Sequence, residues 1–433
     1  MMRIRSRFAR LVAVGAALAL TPPLAACGGD EAGGAGDQIR ILVYGDTTNR
    51  VEAQTVETFN RTSKVKAVLE TIPGADYQAR LRTIINTDHA PDVFFNWGGG
   101  SIAPFVKADL LLPLDDMIAE DPGLRDNFLP SVFDTAVVDG RAYGIPMRGT
   151  QPVLLFHNKK VLADAGLTPP RTWDDLLAAV DVLKARKITP IALGGGDQWP
   201  TQMWYQYLYD RVAGPELFRS ALAGETDVWA SADSRRALEL LRQLTDAGAF
   251  GTTFDSVRFT DGGSPTLLAT GKAGFELMGS WAYATHQDAN PDFATNDLGW
   301  TAFPSVPDGK GDPRNLAGNT NNFYSVLKKT KHPEAAAEFL KLMYSDEFVQ
   351  AQLAIGNLPT TVNTEKFLAS AGNPEYARFQ YDLVKRAPSF QLSWDQAHPP
   401  AATTTLHRAV RQYANGRLDA DGFITAMQSL RAG

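Results

Sequence analysis

Three short stretches place a tryptophan beside small residues at the end of an apolar run. They are Asn96-Trp97-Gly98-Gly99-Gly100, Gly194-Gly195-Gly196-Asp197-Gln198-Trp199 and Gly279-Ser280-Trp281. An indole face is flat and apolar, so it suits the C–H face of a pyranose ring. Carboxamides and backbone N–H groups suit the hydroxyls on the rim of that ring. Glycine lets a ligand or another chain segment come close to the backbone. Packing in a core is the blander explanation for any single tryptophan. Recurrence at three strand ends favours a ligand role for Trp97 and Trp281.

Covalent chemistry lacks a constellation. There is no Gly-x-Ser-x-Gly elbow, and the sole cysteine, Cys27, precedes the folded part of the chain. Gly271-Lys272 has no upstream glycine of a phosphate-binding loop, and Ala273 follows it. The six histidines, at 89, 157, 286, 332, 398 and 407, show no metal-ligand spacing. Neither a metal nor a cofactor is expected. Two carboxylates brought together in space would suit glycoside hydrolysis. The candidates for that alternative are Asp46, Asp76, Glu276 and Asp395. A neutral saccharide bound without bond cleavage fits the aromatic and amide residues better.

The elements that must position these residues alternate in type. Apolar runs predict strands over 39–45, 65–70, 92–97, 153–158, 190–193 and 275–278, with 143–147 leading into the fourth. Helical spacing predicts helices from the loop 46–49 to residue 60, and over 76–87, 199–212 and 233–247. Thr172 and Asp175 form a capping-box pattern ahead of LLAAVDVLKA. Pro333 suits the first turn of a helix over EAAAEFLKLMY. A last helix near 405–414 closes the chain. Strand–helix alternation indicates an α/β architecture, and ligands of open α/β sheets bind outside the carboxyl ends of strands.

With 433 residues, 44% of them hydrophobic, the chain is long enough for two or three cores. A net charge of −6 without a basic stripe argues against nucleic acid as a partner. Arg3, Arg5, Arg7 and Arg10 precede the apolar run LVAVGAALAL, and Leu24-Ala25-Ala26-Cys27 follows. This is a secretory signal, too short for a lasting membrane span. Cleavage before Cys27 removes those four arginines and no acid, which moves the net charge from −6 to −10. The acidic, Gly-rich residues 28–37 read as a tether, with a root-mean-square span of about 17 Å.

In order and spacing, several blocks resemble the carbohydrate-type extracellular solute-binding proteins of ABC importers, the maltose-binding-protein-like group. The blocks are PDVFF (91–95), VDGRAYGIPM (138–147), LFHNK (155–159), LADAGLTPPRTWDD (162–175), GKAGFELMGSW (271–281) and KHPEAAAEFL (331–340). The leader resembles a bacterial lipobox, which implies a lipid on Cys27 that anchors the protein at the extracytoplasmic face of the cell membrane. The resemblance implies a two-lobed α/β periplasmic-binding-protein-like fold with hinge crossings and an interlobe cleft. Lobe one would be 38–149 plus 322–357, and lobe two 150–321 plus 358–433. The crossings would lie near 148–150, 320–322 and 357–360. By position, sugar contacts would fall on Asp46, Thr47, Asn96, Trp97, Gln151, Trp199, Trp281, Asn319, Asn322 and Trp394. Asp46 capping the next helix, Asn319 and Asn322 as turn formers, and Trp394 in a core are the structural alternatives. For Arg148 a hinge ion pair is favoured over contact with an acidic sugar. His157 stands where the family more often has tyrosine, with no functional consequence expected. The implied function is that of a monomeric receptor handing a sugar or short oligosaccharide to the importer's permease subunits, whose ATPase supplies the energy. FFNWGGGS and the GGGDQW stretch most resemble actinobacterial receptors for plant-polysaccharide fragments such as xylo-oligosaccharides.

Overall fold

The computed structural model describes residues 37–320 and 322–430. The expected leader over 1–26, the lipid on Cys27 and all of the tether except Asp37 lie outside the described residues.

In chain order the strands are β1 (Gln38–Gly45), β2 (Lys66–Pro73), β3 (Val93–Asn96), β4 (Val137–Val138), β5 (Arg141–Ala142), β6 (Ile145–Pro146), β7 (Gln151–Asn158), β8 (Thr189–Ala192), β9 (Ala273–Gly279), β10 (Leu298–Thr301), β11 (Leu316–Asn319), β12 (Phe323–Val326) and β13 (Phe390–Leu392). One sheet runs β2-β1-β3-β12-β6, the other β13-β11-β7-β9-β8, with β10 also paired to β7. β4 and β5 form a separate small hairpin. In the first sheet β1 lies parallel to β2 and β3, and β12 is antiparallel to β3 and β6.

The central strands are apolar on both faces. Ile39, Ile41, Leu42 and Val43 of β1 are all buried, as is every residue of β7 and β9. Strands buried on both faces read as unbroken hydrophobic runs because helices cover both sides of the sheet. The helix Asn49–Thr62 buries Val51, Thr55, Val56 and Phe59, one stripe at helical spacing. Helix Trp173–Ala185 opens with the expected capping box, in which Thr172 Oγ1 accepts from the Asp175 amide and the Asp175 carboxylate accepts from the Thr172 amide. Pro333 does open a helix, which ends at Lys341 and tightens into a 3₁₀ turn over Leu342–Tyr344.

Two large cores result. One draws on residues between 39 and 147 and between 324 and 355. The other draws on 153–317 and 376–427. We name the bodies around them lobe one and lobe two. A small third cluster, with Val349, Leu353, Leu358 and Leu368, packs under the chain that links them.

Two expectations need correction. The helix near 405–414 begins at Pro400 and does not close the chain. A further helix, Ala420–Gln428, follows and buries Phe423 and Met427 in the core of lobe two. Its pattern is short and carries Gly422 in the first turn, which hid it. Trp394 is no cleft residue in this conformation: it is 0% exposed. It stacks on Phe218 at 4.5 Å and meets Tyr205, Tyr209 and Trp229 edge-on, while Nε1 donates to Gln391. Trp204 is likewise a core residue, against Phe250 and Phe303.

Two outcomes follow from this packing. Trp394→Ala is expected to lower unfolding free energy by about 3–5 kcal/mol, because the cavity cannot collapse among four rings. Thr172→Ala is expected to cost about 1 kcal/mol. Urea unfolding of both variants measures the two costs, and near-equal losses would contradict the core placement. The second outcome concerns pH. Burial, aided by Lys159, depresses the His157 pKa to about 4, and burial depresses His398 to about 4 against the pull of Asp395. Unfolded histidine takes up its proton near pH 6.5. Their contribution is therefore complete above that pH and declines as the pH falls toward 4. Each is expected to cost about 2 kcal/mol between pH 7 and pH 5. Unfolding free energies that do not change over that interval would contradict this.

Candidate ligand-binding cleft

The chain crosses between lobes beside the amino ends of β7 and β12 and the carboxyl end of β11. On the lobe-one side, β1 ends at Gly45 and the chain turns through Asp46, Thr47 and Thr48 into the helix Asn49–Thr62. Asp46 does not cap that helix at its N2 or N3 amide. Its Oδ1 accepts from the Thr48 amide at 2.9 Å and hydroxyl at 2.7 Å, and Oδ2 accepts from Arg148 Nη1 at 2.7 Å. Asp46 keeps about a third of its side chain in solvent, and Thr47 beside it is half-buried.

Arg148 organises this rim. Nε donates to Glu52 Oε1 at 2.6 Å, Nη2 donates to the Tyr44 carbonyl at 2.9 Å, and the guanidinium lies 4.9 Å from the Phe95 ring centre. Burial works against its charge, but the carboxylates of Asp46 and Glu52 outweigh that and raise its pKa further. Arg148 thus forms the ion pair that the sequence favours over contact with an acidic sugar, with both partners on lobe one.

Trp97 is half-buried, set nearly perpendicular to Phe95 at 4.8 Å, Tyr44 at 5.6 Å and Tyr77 at 5.8 Å. Edge-to-face contacts of this kind fix ring orientation. Tyr77 is itself tied to the Phe95 carbonyl through its hydroxyl. Burial, with Asp46 nearby, pushes the Tyr44 phenol up to about 12.

Asn96 stands differently from its expected role. It is 2% exposed, its Nδ2 donates to Ser325 Oγ, and its Oδ1 accepts from the Gly98 amide. Its amide holds the turn that presents Trp97, and in this conformation both ends are used within lobe one. The glycines that follow serve a neighbour rather than an open space. A Cβ on Gly99 would meet Leu392 Cδ2 at 2.7 Å, and one on Gly100 would meet the Ala397 carbonyl oxygen at 2.6 Å. Leu392 and Ala397 belong to lobe two.

Lobe two contributes Trp199 and Trp281, both half-buried, with ring centres 6.1 Å apart. Trp281 folds back over Gly279, where any Cβ would overlap the indole. Trp199 is braced by Phe259. The Asp197 carboxylate accepts from the amides of Phe259 and Thr260 and from the Thr260 hydroxyl, which locks the facing loop.

Three carboxamides cluster where the chain crosses between lobes. Gln151 Oε1 accepts from Asn319 Nδ2 at 3.1 Å and from Asn322 Nδ2 at 2.9 Å. Asn319 and Gln151 are also opposed in the β11–β7 ladder. All three residues are at most 5% exposed. Thr150 stitches the chain crossings together, its hydroxyl donating to the Thr320 carbonyl and its amide to the Leu358 carbonyl.

Of the four carboxylates named for hydrolysis, Asp76 is exposed and the other three are engaged elsewhere. Glu276 is 0% exposed inside lobe two, 3.4 Å from His286, and Asp46 is held by Arg148. Asp395 accepts from the Ser393 hydroxyl beside it. Sequence reasoning missed Glu52 and Tyr44, whose only signals are an acid in a first helical turn and an aromatic next to a strand end.

Two α/β lobes, each with half-buried tryptophans at strand ends and with a cluster of carboxamides at the chain crossings between them, form a two-lobed fold. The family model for bacterial extracellular solute-binding proteins matches residues 44–350, and the chain belongs to that family. It is 27% identical to the diacetylchitobiose binding protein of Streptomyces coelicolor over 75% of each chain. A structure solved in work on xylan utilization by the thermophilic bacterium Caldanaerobius polysaccharolyticus superposes with a TM-score of 0.82 at 25% identity, covering 90% of this chain and 99% of that one. A chitin oligosaccharide binding protein superposes with a TM-score of 0.79 at 26% identity, covering 91% and 98%.

Arg148→Met would strand Glu52 as a buried charge and is expected to cost about 3–5 kcal/mol. Adding Glu52→Gln is expected to restore most of that loss, as read by chemical denaturation. A double variant no more stable than the single one would contradict the pairing.

Proposed function

We propose that this protein is an extracytoplasmic receptor that grips a neutral short oligosaccharide between its lobes and delivers it to the permease of an ABC importer. The observation that supports this reading is the half-buried Trp97 in lobe one and the half-buried Trp199 and Trp281 in lobe two, together with the carboxamide cluster of Gln151, Asn319 and Asn322 at the chain crossings. Indole faces bury the apolar face of a pyranose, and carboxamides both donate to and accept from its hydroxyls. Asp46 and Thr47 complete the polar rim. Asn96 acts by holding the Trp97 turn.

The hinge divides 38–149 plus 322–357 from 150–321 plus 358–433, in agreement with the partition of the two cores. Sugar shifts the open–closed equilibrium toward the closed form in proportion to its preference for that form. Glycosidic bonds stay intact. A lipid on Cys27 tethers the monomer to the outer face of the membrane. Relatives named for diacetylchitobiose and chitin oligosaccharide, and a neighbour from xylan work, make extended β-1,4-linked fragments the first class to test.

Titration with xylotriose, diacetylchitobiose and maltotriose, followed by tryptophan fluorescence and calorimetry, tests the reading. Saturable binding and unchanged sugar by chromatography are expected. Trp97→Ala and Trp281→Ala are each expected to weaken binding about tenfold or more, the loss of roughly 1.4 kcal/mol per ring. Shortened products, or full affinity in both variants, would overturn it.

A further inference from the structure

Helix Trp199–Ala213 carries two glutamines one turn apart, Gln202 and Gln206, at 0% and 1% exposure among aromatic neighbours. Buried carboxamides of this kind must be satisfied. Gln206 Nε2 donates to the Leu392 carbonyl at 3.1 Å, and Gln206 Oε1 accepts from the Trp394 amide at 3.2 Å. A carbonyl only accepts and an amide N–H only donates, so the orientation of Gln206 is fixed by its backbone partners. Gln202 Nε2 then donates to Gln206 Oε1 at 3.1 Å, which leaves Gln202 Oε1 as an acceptor for His407 Nε2 at 3.2 Å. Polarity therefore runs one way through the chain, and His407 must carry its proton on Nε2.

The far end of this chain grips the segment 392–398. That segment starts where Leu392 is opposed to Gly318 and the Ser393 amide donates to the Gly318 carbonyl, one residue before Asn319 of the cleft floor. Its other side lies against lobe one. Gly99 faces Leu392 and Gln396, and Gly100 faces Ala397 and His398, at distances that leave no room for a Cβ. The atoms that a Cβ on Gly100 would strike are backbone atoms of Ala397 and His398, which cannot rotate away. Across the same divide, Arg50 of lobe one pairs with Asp288 of lobe two at 2.8 Å. Gly100 does not have the positive φ of Gly98 and Gly99, so alanine there strains no backbone.

We propose that residues 392–398 form the closing edge of lobe two, that Gly99 and Gly100 are its landing surface on lobe one, and that His407, Gln202 and Gln206 position the edge for contact. The proposal rests on the receptor reading. The triple glycine is then a closure contact, and any side chain at position 100 props the lobes apart. His407, Gln202 and Gln206 touch no ligand; they act through the segment they hold.

The test uses the mature protein with xylotriose, diacetylchitobiose and maltotriose as probes, and small-angle scattering with and without them. Gly100→Ala is expected to raise Kd at least about tenfold, because the binding-competent closed fraction falls. Its radius of gyration should exceed that of the wild type. Gln206→Leu and His407→Leu should weaken binding mainly through faster dissociation. His407→Gln, which keeps a donor toward Gln202, should recover most of the affinity. Wild-type affinity and compaction in Gly100→Ala would overturn the seam. Equal loss in His407→Leu and His407→Gln would overturn the positioning role. If the wild type binds none of the probes, the saccharide reading fails, while scattering still decides the seam: equal radii for ligand-free wild type and Gly100→Ala would overturn it.

Discussion

Arg148 is a full positive charge with almost no access to water, and lobe one's rim is arranged around it. Such a charge is tolerated only when every donor finds an acceptor. Glu52 reaches it from a helix, Asp46 from the turn after β1, and the Tyr44 carbonyl from β1 itself. One continuous stretch, residues 44–52, is thereby fixed to the first chain crossing, where Arg148 lies far from it in sequence. The same guanidinium lies over Phe95, which in turn sets the angle of Trp97. One ion-pair network thus ties the first chain crossing, through Phe95, to Trp97.

The opposite rim is built without a comparable charge. Trp281 finds its place because Gly279 leaves space for the indole, and Trp199 because Asp197 locks the loop that carries Phe259. The floor is shared, with Gln151 and Asn319 paired across β7 and β11 and Asn322 entering from the crossing. The aromatic residues of the two lobes are thus braced separately, while the carboxamide cluster joins residues on both sides of a chain crossing.

Much of this was legible in the sequence. Strands β1, β2, β3, β7, β8 and β9 follow from unbroken apolar runs, whereas the short β10, β11, β12 and β13 are not among the expected strands, and the Thr172–Asp175 box and Pro333 mark helix starts correctly. The strand-end motifs singled out Trp97, Trp199 and Trp281, and Gln151, Asn319 and Asn322 do meet in one cluster. What failed was the inference from residue type to exposure. Trp394 has the composition of a stacking residue, but its surroundings come from Phe218, Tyr205, Tyr209 and Trp229, scattered over 25 positions of other helices and turns. Asn96 has the type of a hydroxyl-seeking amide, yet Ser325, far along the chain, occupies it. The glycines after Trp97 signalled close approach, but the approaching group is the segment 392–398. Partners distant in sequence set each of these outcomes, and no local pattern encodes them.

A crystal structure of the protein with xylotriose tests the central claim most directly. The lobes should enclose the intact trisaccharide, with sugar rings in van der Waals contact with Trp97 and Trp281 and hydroxyls bonded to the Gln151–Asn319–Asn322 floor. A sugar bound elsewhere on the surface, or a cleaved one between the lobes, would contradict it.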